Sequence, residues 1–312
     1  MIAALAGGVG AAKFLAGLVR SEPPREITAI VNVADDQEFH GLYVCPDIDS
    51  VTYTLGGVNN TKLGWGRESE TFRTIDELGR FGVANWFRLG DLDLATHIFR
   101  TDQLRKGRTL AEVTNHITRS FEIEATLIPA TNDRITTVIT AAAANGEPHD
   151  LAMQEWFVRD RCEPIVRAVH FEGADGASPA PGVLAALADA EIIVICPSNP
   201  VISIGPLLAI PGIKDLLADR RDRVVAISPI VAGAPVKGPA DLLMRPLGIE
   251  VSCFGVAEQY REFCSTVVFD IVDQDQAERI EAVGVRCVSA DTMMTSPDVA
   301  AKLAGIVVGA MR

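Results

Sequence analysis

The sequence has no excess of positive charge. Its formal net charge is −13, and a nucleic-acid partner, whose phosphates demand clustered Lys and Arg, is not expected. No apolar run reaches the roughly 18 residues that would indicate a membrane-spanning helix. The apolar start Met1–Leu5 opens directly into glycines, so neither a membrane anchor nor a secretory signal is expected, and a cytoplasmic location is. The cysteines, Cys45, Cys162, Cys196, Cys253, Cys264 and Cys287, include no Cys-x-x-Cys pair. That spacing offers neither a zinc site nor a disulfide framework, and it leaves buried or idle thiols in a reducing compartment. Two nucleotide motifs are also missing. There is no Gly-Lys-Ser/Thr of a P-loop, and Lys13 stands where the last glycine of Gly-x-Gly-x-x-Gly would be.

What is present is an alternation of strands and helices over most of 312 residues, which points to the α/β class. At about 150 residues per domain, the length suits one large or two intimate domains, and with 48% hydrophobic residues there is ample material for a core. Strand Ile2–Leu5, the glycine turn, helix Ala11–Arg20 and strand Ile27–Val33 form an opening βαβ unit of a nucleotide-binding sheet. The stretch from Asp35 to about Asn132 reads as mostly helical, with helix-period apolar residues in Leu92–Leu104 and Leu110–Phe121. It predicts a helical insertion at about 58–130 within a single domain spanning 1–312. Alternation returns at Ile135–Ala143, followed by a turn at Asn145-Gly146 and polar-apolar runs at Met153–Val158 and Ile165–Phe171. From Gly182 the βα rhythm resumes. Ile192–Ile195 reads as a strand buried on both faces, Val224–Ile227 and Val267–Phe269 as further strands, and Val285–Val288 as an edge strand. Helices are expected near Ile213–Arg220, Pro239–Arg245 and Gln274–Glu281. The predicted architecture is a Rossmann-like, mostly parallel sheet with helices on both faces and an inserted helical cap.

Four segments carry polar chemistry. Gly7-Gly8-Val9-Gly10 lets backbone approach an anion at the start of a helix, whose N–H groups and dipole favour negative charge; close helix–strand packing explains the same glycines. Asp35 and Asp36 follow the second strand, where ligands of open α/β sheets gather, or lie in a solvated loop. In Cys45-Pro46-Asp47-Ile48-Asp49, Asp47 is placed to cap a helix and Asp49 to lie in its first turn. Hard oxygen ligands at that spacing suit Mg²⁺ with substrate phosphates, and simple capping suits them equally. Pro197-Ser198-Asn199-Pro200, after the most apolar strand, is a rigid loop rich in hydrogen-bonding groups that suits a nucleobase or a phosphate, or a structural turn. Weaker candidates are Trp65, Trp86 and Trp156 as stacking platforms, Asp91 and Asp93 with His97 as a metal cluster, and Arg134 as a phosphate grip.

Together these segments resemble the 2-phospho-L-lactate transferases of coenzyme F-420 biosynthesis, including their actinobacterial relatives that use phosphoenolpyruvate. The resemblance runs through nearly the whole chain: Ala6–Lys13, Val31–Asp36, His40–Gly57, Gly64-Trp65-Gly66, Asn85-Trp86-Phe87, Leu89-Gly90-Asp91, Asp93–His97, Pro129–Arg134, Gln154–Arg159 and Pro197–Gly205. Ala11 departs from it, where the family loop commonly has glycine, but Gly7, Gly8 and Gly10 remain. The resemblance implies a guanosine diphosphate donor carrying a phosphorylated three-carbon acid and, as acceptor, the terminal hydroxyl of the ribityl-deazaflavin FO. That hydroxyl attacks the phosphorus bearing the acid and GMP leaves. It implies Mg²⁺ held by Asp49 and Asp47, with catalytic roles for Asp49, Asp47 and Asp36. Gly7, Gly8, Gly10, Lys13, Ser198, Asn199, Ser203 and Gly205 would bind the nucleotide. Trp86, Leu89, Gly90, Asp91, Thr96 and Arg134 would bind the deazaflavin. Family members are often homodimers. A related group with a similar glycine loop and Ser-Asn-Pro loop binds nucleotide sugars and regulates the cell envelope; the acidic Cys45–Gly57 and Trp86–His97 segments favour the transferase. An ordinary nicotinamide dehydrogenase is disfavoured by the glycine spacing and by two acids where one would serve the ribose.

Overall fold

Short strands of β-branched and small apolar residues assemble into one seven-stranded parallel sheet. They are β1 (Ile2–Ala6), β2 (Ile27–Val31), β3 (Thr126–Pro129), β4 (Ile192–Ile195), β5 (Val224–Ile227), β6 (Thr266–Asp270) and β7 (Arg286–Ala290). The computed structural model describes residues 1–62, 64–142 and 147–312. Across the sheet the order is β7-β6-β5-β4-β1-β2-β3, with every neighbouring pair parallel. β1, β2, β4, β5 and β6 are buried at every residue, as strands covered by helices on both faces must be. The order reverses between β1 and β4. The crevice at the carboxyl ends of those two strands is therefore the place where a ligand of such a sheet binds.

Helix α1 (Gly8–Ser21) buries Ala11, Ala12, Phe14, Leu15 and Leu18, and packs against the C-terminal helix Pro297–Gly309 and against α2 (Pro46–Leu55). Two of its glycines permit close approach. A Cβ on Gly17 would come 2.3 Å from the Ala300 carbonyl carbon, and one on Gly10 would come 2.2 Å from the Pro197 carbonyl oxygen. Gly10 thus brings the start of α1 against the loop after β4, so both readings of the glycine turn, packing and anion approach, apply to the same residues.

Between β2 and β3 run a hairpin, Gln37–Phe39 with Leu42–Val44, then α2, α3 (Arg73–Arg80), α4 (Asp91–Arg105) and α5 (Leu110–Ser120). The hairpin was not expected from the sequence. Its strands are three residues each, too short to show alternation, and its turn is made by His40 and Gly41 with φ of 54° and 76°, the twist that two-residue hairpins need. A smaller antiparallel sheet joins Pro148–Ala152, Thr136–Ala142 and Ile165–Glu172. The expected Ile135–Ala143 strand runs over Thr136–Ala142; Ala143 and the Asn145-Gly146 turn lie outside the described residues. Met153–Val158 is no strand. Glu155–Arg159 makes a π-helical turn that buries Trp156 completely, its indole N–H donating to the Pro164 carbonyl at 2.9 Å. That tryptophan is packing and not a stacking platform. The expected edge strand is β7, at one margin of the sheet.

Candidate active site

Gly7 follows β1 as the residue capping α1, and Gly8, with φ of 71°, starts that helix. A Cβ on Gly7 would lie 2.7 Å from the Ser203 Cβ and 2.9 Å from Asp47 Oδ2, while Ser198 Oγ donates to the Gly7 carbonyl at 2.8 Å. The loops after β1 and β4 and the start of α2 are thereby interlocked. Asp47 does not cap α2: Cys45 holds that position without a side-chain bond, and Pro46 follows at the first helical residue. Its carboxylate turns instead to the start of α1, accepting from the Gly8 N–H and, at 2.9 Å, from Asn32 Nδ2. Burial raises its pKa to about 6, against the lowering effect of those two donors.

Asp49 comes two residues later, about 200° further round the helix, and meets different partners. Both its oxygens accept from the Arg100 guanidinium, which is completely buried; the Nη1 to Oδ2 distance is 3.1 Å and the Nη2 to Oδ1 contact is very short. Arg100 Nη1 also faces His97 Nδ1 at 3.2 Å. An arginine can only donate, so Nδ1 accepts and a neutral His97 carries its proton on Nε2, 3.2 Å from Asp93 Oδ2. The Tyr53 hydroxyl donates to Asp93 Oδ1 at 2.6 Å. Burial works against the Asp93 charge, but the His97 contact and the Tyr53 bond hold its carboxyl below the usual range. Ligand atoms of Asp49, Asp93 and His97 lie within 4.8 Å of one another.

Asp35 and Asp36 lie between these groups, and burial first, then neighbouring carboxylates, push both well above the ordinary aspartate value. Asp35 Oδ2 accepts from Asn32 at 3.4 Å. Asp35 Oδ1 and both Asp36 oxygens are buried without a hydrogen-bond partner among the described residues, and the Cys45 thiol beside Asp36 is a weak donor. Five carboxylates thus share a buried region with one guanidinium and one imidazole. A raised carboxylate pKa means that the folded state holds the proton more tightly than the unfolded chain, so stability falls as pH rises from about 4 to about 6. In chelator-treated protein the melting temperature is therefore expected to rise between pH 7 and pH 5, and Asp47→Asn to flatten that rise. A wild-type profile that is flat or falls over this interval would contradict the buried position of Asp47.

A cavity of about 690 Å³ opens over the switch point. Asp35, Asp47, Asp49, Asp93 and His97 line it, and so do the aromatic side chains Trp65, Trp86, Phe87 and Phe157. The glycine loop, Ser198–Asn199 and the loops after β5 and β7, including Ser228, Lys237 and Thr292–Thr295, line it as well. The β7 loop is fixed by Asp270, whose carboxylate accepts from the Thr292 N–H and hydroxyl, each at 2.9 Å.

The model of one family, 2-phospho-L-lactate transferase, matches residues 2–303 of the chain. The chain belongs to that family. It is 45% identical over 305 residues to a phosphoenolpyruvate transferase of Streptomyces coelicolor, covering 97% of this chain and 95% of the relative. It is 40% identical over 315 residues to one of Mycobacterium ulcerans, with 96% and 95% covered. Among solved structures it is similar to a UPF0052-family protein of Bacillus halodurans, with a TM-score of 0.64, 17% identity and coverage of 98% and 99%, a likeness of fold. No single helix among the described residues is long and apolar enough to cross a membrane.

In this transferase-family chain, Gly7, Gly8, Gly10, Lys13, Asp47, Asp49, Trp86, Ser198, Asn199 and Ser203 come together around the cavity. Asn199 Oδ1 already accepts from the Val201 and Ile202 N–H groups at 2.9 and 3.3 Å, and its Nδ2 has no partner among the described residues. Asp36 is buried among the carboxylates. The other expected residues do not line the cavity. Gly205 packs under the Phe171 ring, 2.9 Å from where its Cβ would be, and Leu89 is buried against Phe39, Val44 and Leu94. Gly90 leaves room for Glu70, which accepts from the Leu92 and Asp93 N–H groups at the start of α4. Asp91 in turn accepts from the Arg73 and Thr74 N–H groups at the start of α3, so the two helix starts are cross-capped. Thr96 is buried beside the Tyr53 hydroxyl. Arg134 is exposed. Sequence reading missed Asn32, Tyr53, Arg100, Lys237 and the Thr292–Thr295 loop. Arg100 had a signal, its helical spacing from Asp93 and His97; Lys237 had only its setting, a lone cation between prolines and a glycine after a buried strand.

Proposed function

We propose that the protein transfers the phosphoenolpyruvyl group from a guanosine diphosphate donor to the ribityl hydroxyl of FO, releasing GMP and forming dehydro coenzyme F-420-0. The relatives' names support the enolpyruvyl form of the acid. The observation that carries the reading is one cavity lined by Asp35 after β2, by the glycine-rich helix start after β1 and by Lys237 from the loop after β5, in that order across the sheet. Phosphoryl-type transfer asks a protein mainly to position reactants and neutralise charge, and this arrangement separates an apolar, acid-lined place for the alcohol from an amide- and ammonium-lined place for the diphosphate.

The residues fit a magnesium ion. A hard divalent cation takes carboxylate oxygens together with substrate phosphates, and Asp36 and Asp35 carry buried oxygens that, among the described residues, meet at most the weak Cys45 donor and the Thr137 hydroxyl. Asp36 with Asp47 or Asp49 would hold it, Asp49 with less freedom because Arg100 engages both its oxygens. Once bound, the ion would reduce the repulsion between the anionic donor and the incoming oxygen. The chain's own contribution is then positional. Amides beyond Gly8 face the phosphates, Trp65 and Trp86 flank the flat ring, and Asp47, buried beside the glycine loop, receives the hydroxyl proton as the oxygen bonds to the acid-bearing phosphorus and the bond to GMP breaks.

Mass spectrometry of the reaction with FO and, separately, the enolpyruvyl, lactyl and glyceryl donors tests this directly. A dehydro F-420-0 mass with GMP is expected from the enolpyruvyl donor. No FO adduct from any donor, together with binding of a UDP-sugar, would move the reading to the nucleotide-sugar regulator.

A further inference from the structure

Two lysines from distant parts of the chain share this cavity without an acidic partner among the described residues. Lys13 projects from the second turn of α1, and Lys237 from the loop after β5. Neither makes an ion pair among the described residues, in a chain of net charge −13, although other lysines such as Lys106 and Lys214 do. Burial first, then the Lys13 charge, hold Lys237 below the ordinary lysine value. Two ammonium groups in one cavity are each relieved by an anion between them.

Lys237 has a second contact. Its Nζ lies 3.4 Å from the Gly64 carbonyl and donates to it. Gly64 and Gly66 have φ of 73° and 68°, and a Cβ on Gly64 would fall 2.4 Å from that Nζ. Between the two glycines stands Trp65, 43% exposed, on the cavity wall. The base of Lys237 is anchored, because the hairpin Ile230–Val231 with Ala234–Pro235 just before it is tied through the Ala232 N–H to the Asp273 carboxylate at 3.0 and 3.1 Å. An ammonium has three N–H donors, so one can hold Gly64 while the others hold phosphate oxygens.

We infer that Lys237, opposite Lys13, grips the donor's phosphates and at the same time holds the Gly64-Trp65-Gly66 loop, so that a bound diphosphate fixes Trp65 over the neighbouring part of the cavity. Lys237 is thus both a phosphate ligand and a positioning residue for Trp65. This rests on the proposed donor only for the identity of the diphosphate.

The test uses inorganic pyrophosphate and the full-length protein, with binding read by calorimetry and Trp65 read by tryptophan fluorescence. Wild type is expected to bind pyrophosphate with a saturable fluorescence change. Trp65→Phe is expected to abolish that change while retaining the heat of binding. Lys237→Met should weaken binding at least tenfold, the scale of a lost charge-assisted hydrogen bond, and at saturation should leave Trp65 unresponsive; Lys237→Arg should recover most of the affinity. No pyrophosphate binding by wild type, or equal affinity in Lys237→Met, would overturn the inference. So would a full Trp65 response in saturated Lys237→Met. Because neither guanosine nor FO is present, Lys237-dependent binding with no transfer to FO would sink the proposed reaction and leave this inference standing.

Discussion

Asp36→Asn is expected to melt at a higher temperature than wild type and to turn over at least about 10²-fold more slowly, the scale of losing one preorganised electrostatic contact. Both effects have one cause. The Asp36 oxygens are buried without a partner among the described residues, close to Asp47 and Asp49, and a buried unpaired carboxylate destabilises a fold. Asparagine keeps the shape, removes the charge, and brings an N–H₂ that the neighbouring carboxylates can accept from. Such a residue is retained for function at the expense of stability. The decisive measurement is thermal unfolding with magnesium against chelator. Wild type should gain stability by mass action, about 2.7 kcal/mol when the ion is a hundredfold above its dissociation constant, and Asp36→Asn should lose that gain. A variant that melts lower than wild type and still responds fully to magnesium would place the cation elsewhere.

The parts of the site that sequence made legible are those built within one element or one turn. The glycine start of α1 could be read because its conformational demand is local. So could the pair Asp47 and Asp49 in the first turn of α2, although their directions could not: two residues apart on a helix they face apart, one toward Gly8 and the other toward Arg100. The same geometry explains Asp91. It was grouped with Asp93 by adjacency, yet Asp91 points to the start of α3 while Asp93 points inward to Tyr53 and His97. Lys237 and Thr292 belong to the site only because β5 and β7 end on the same side of one parallel sheet. That is a property of strand order, which no local pattern encodes. A mostly parallel sheet was legible for a different reason: strands covered on both faces read as unbroken apolar runs, as at Ile192–Ile195.

Arg100→Met is expected to cost about 3–5 kcal/mol of stability, the usual loss when one member of a buried ion pair is removed and the other stays charged. Arg100 is fully buried, and besides both Asp49 oxygens it serves the Tyr43 carbonyl at 3.3 Å and His97 Nδ1. Lysine would restore the charge but not the paired, planar contact, so Arg100→Lys should recover only part of the loss. The double variant Asp49→Asn with Arg100→Met removes both charges together and should be markedly more stable than Arg100→Met alone, a coupling that chemical denaturation of the four proteins measures as a double-mutant cycle. A single-variant loss under about 1 kcal/mol would mean that Asp49 finds another partner. The same arginine bears on catalysis. As the guanidinium among these five carboxylates it pairs with Asp49, offsets Asp36 in part and does not reach Asp35, which faces Asp47, so the negative charge left for a divalent cation lies toward the glycine loop that Asp47 touches, on the side where the donor's phosphates are proposed to sit.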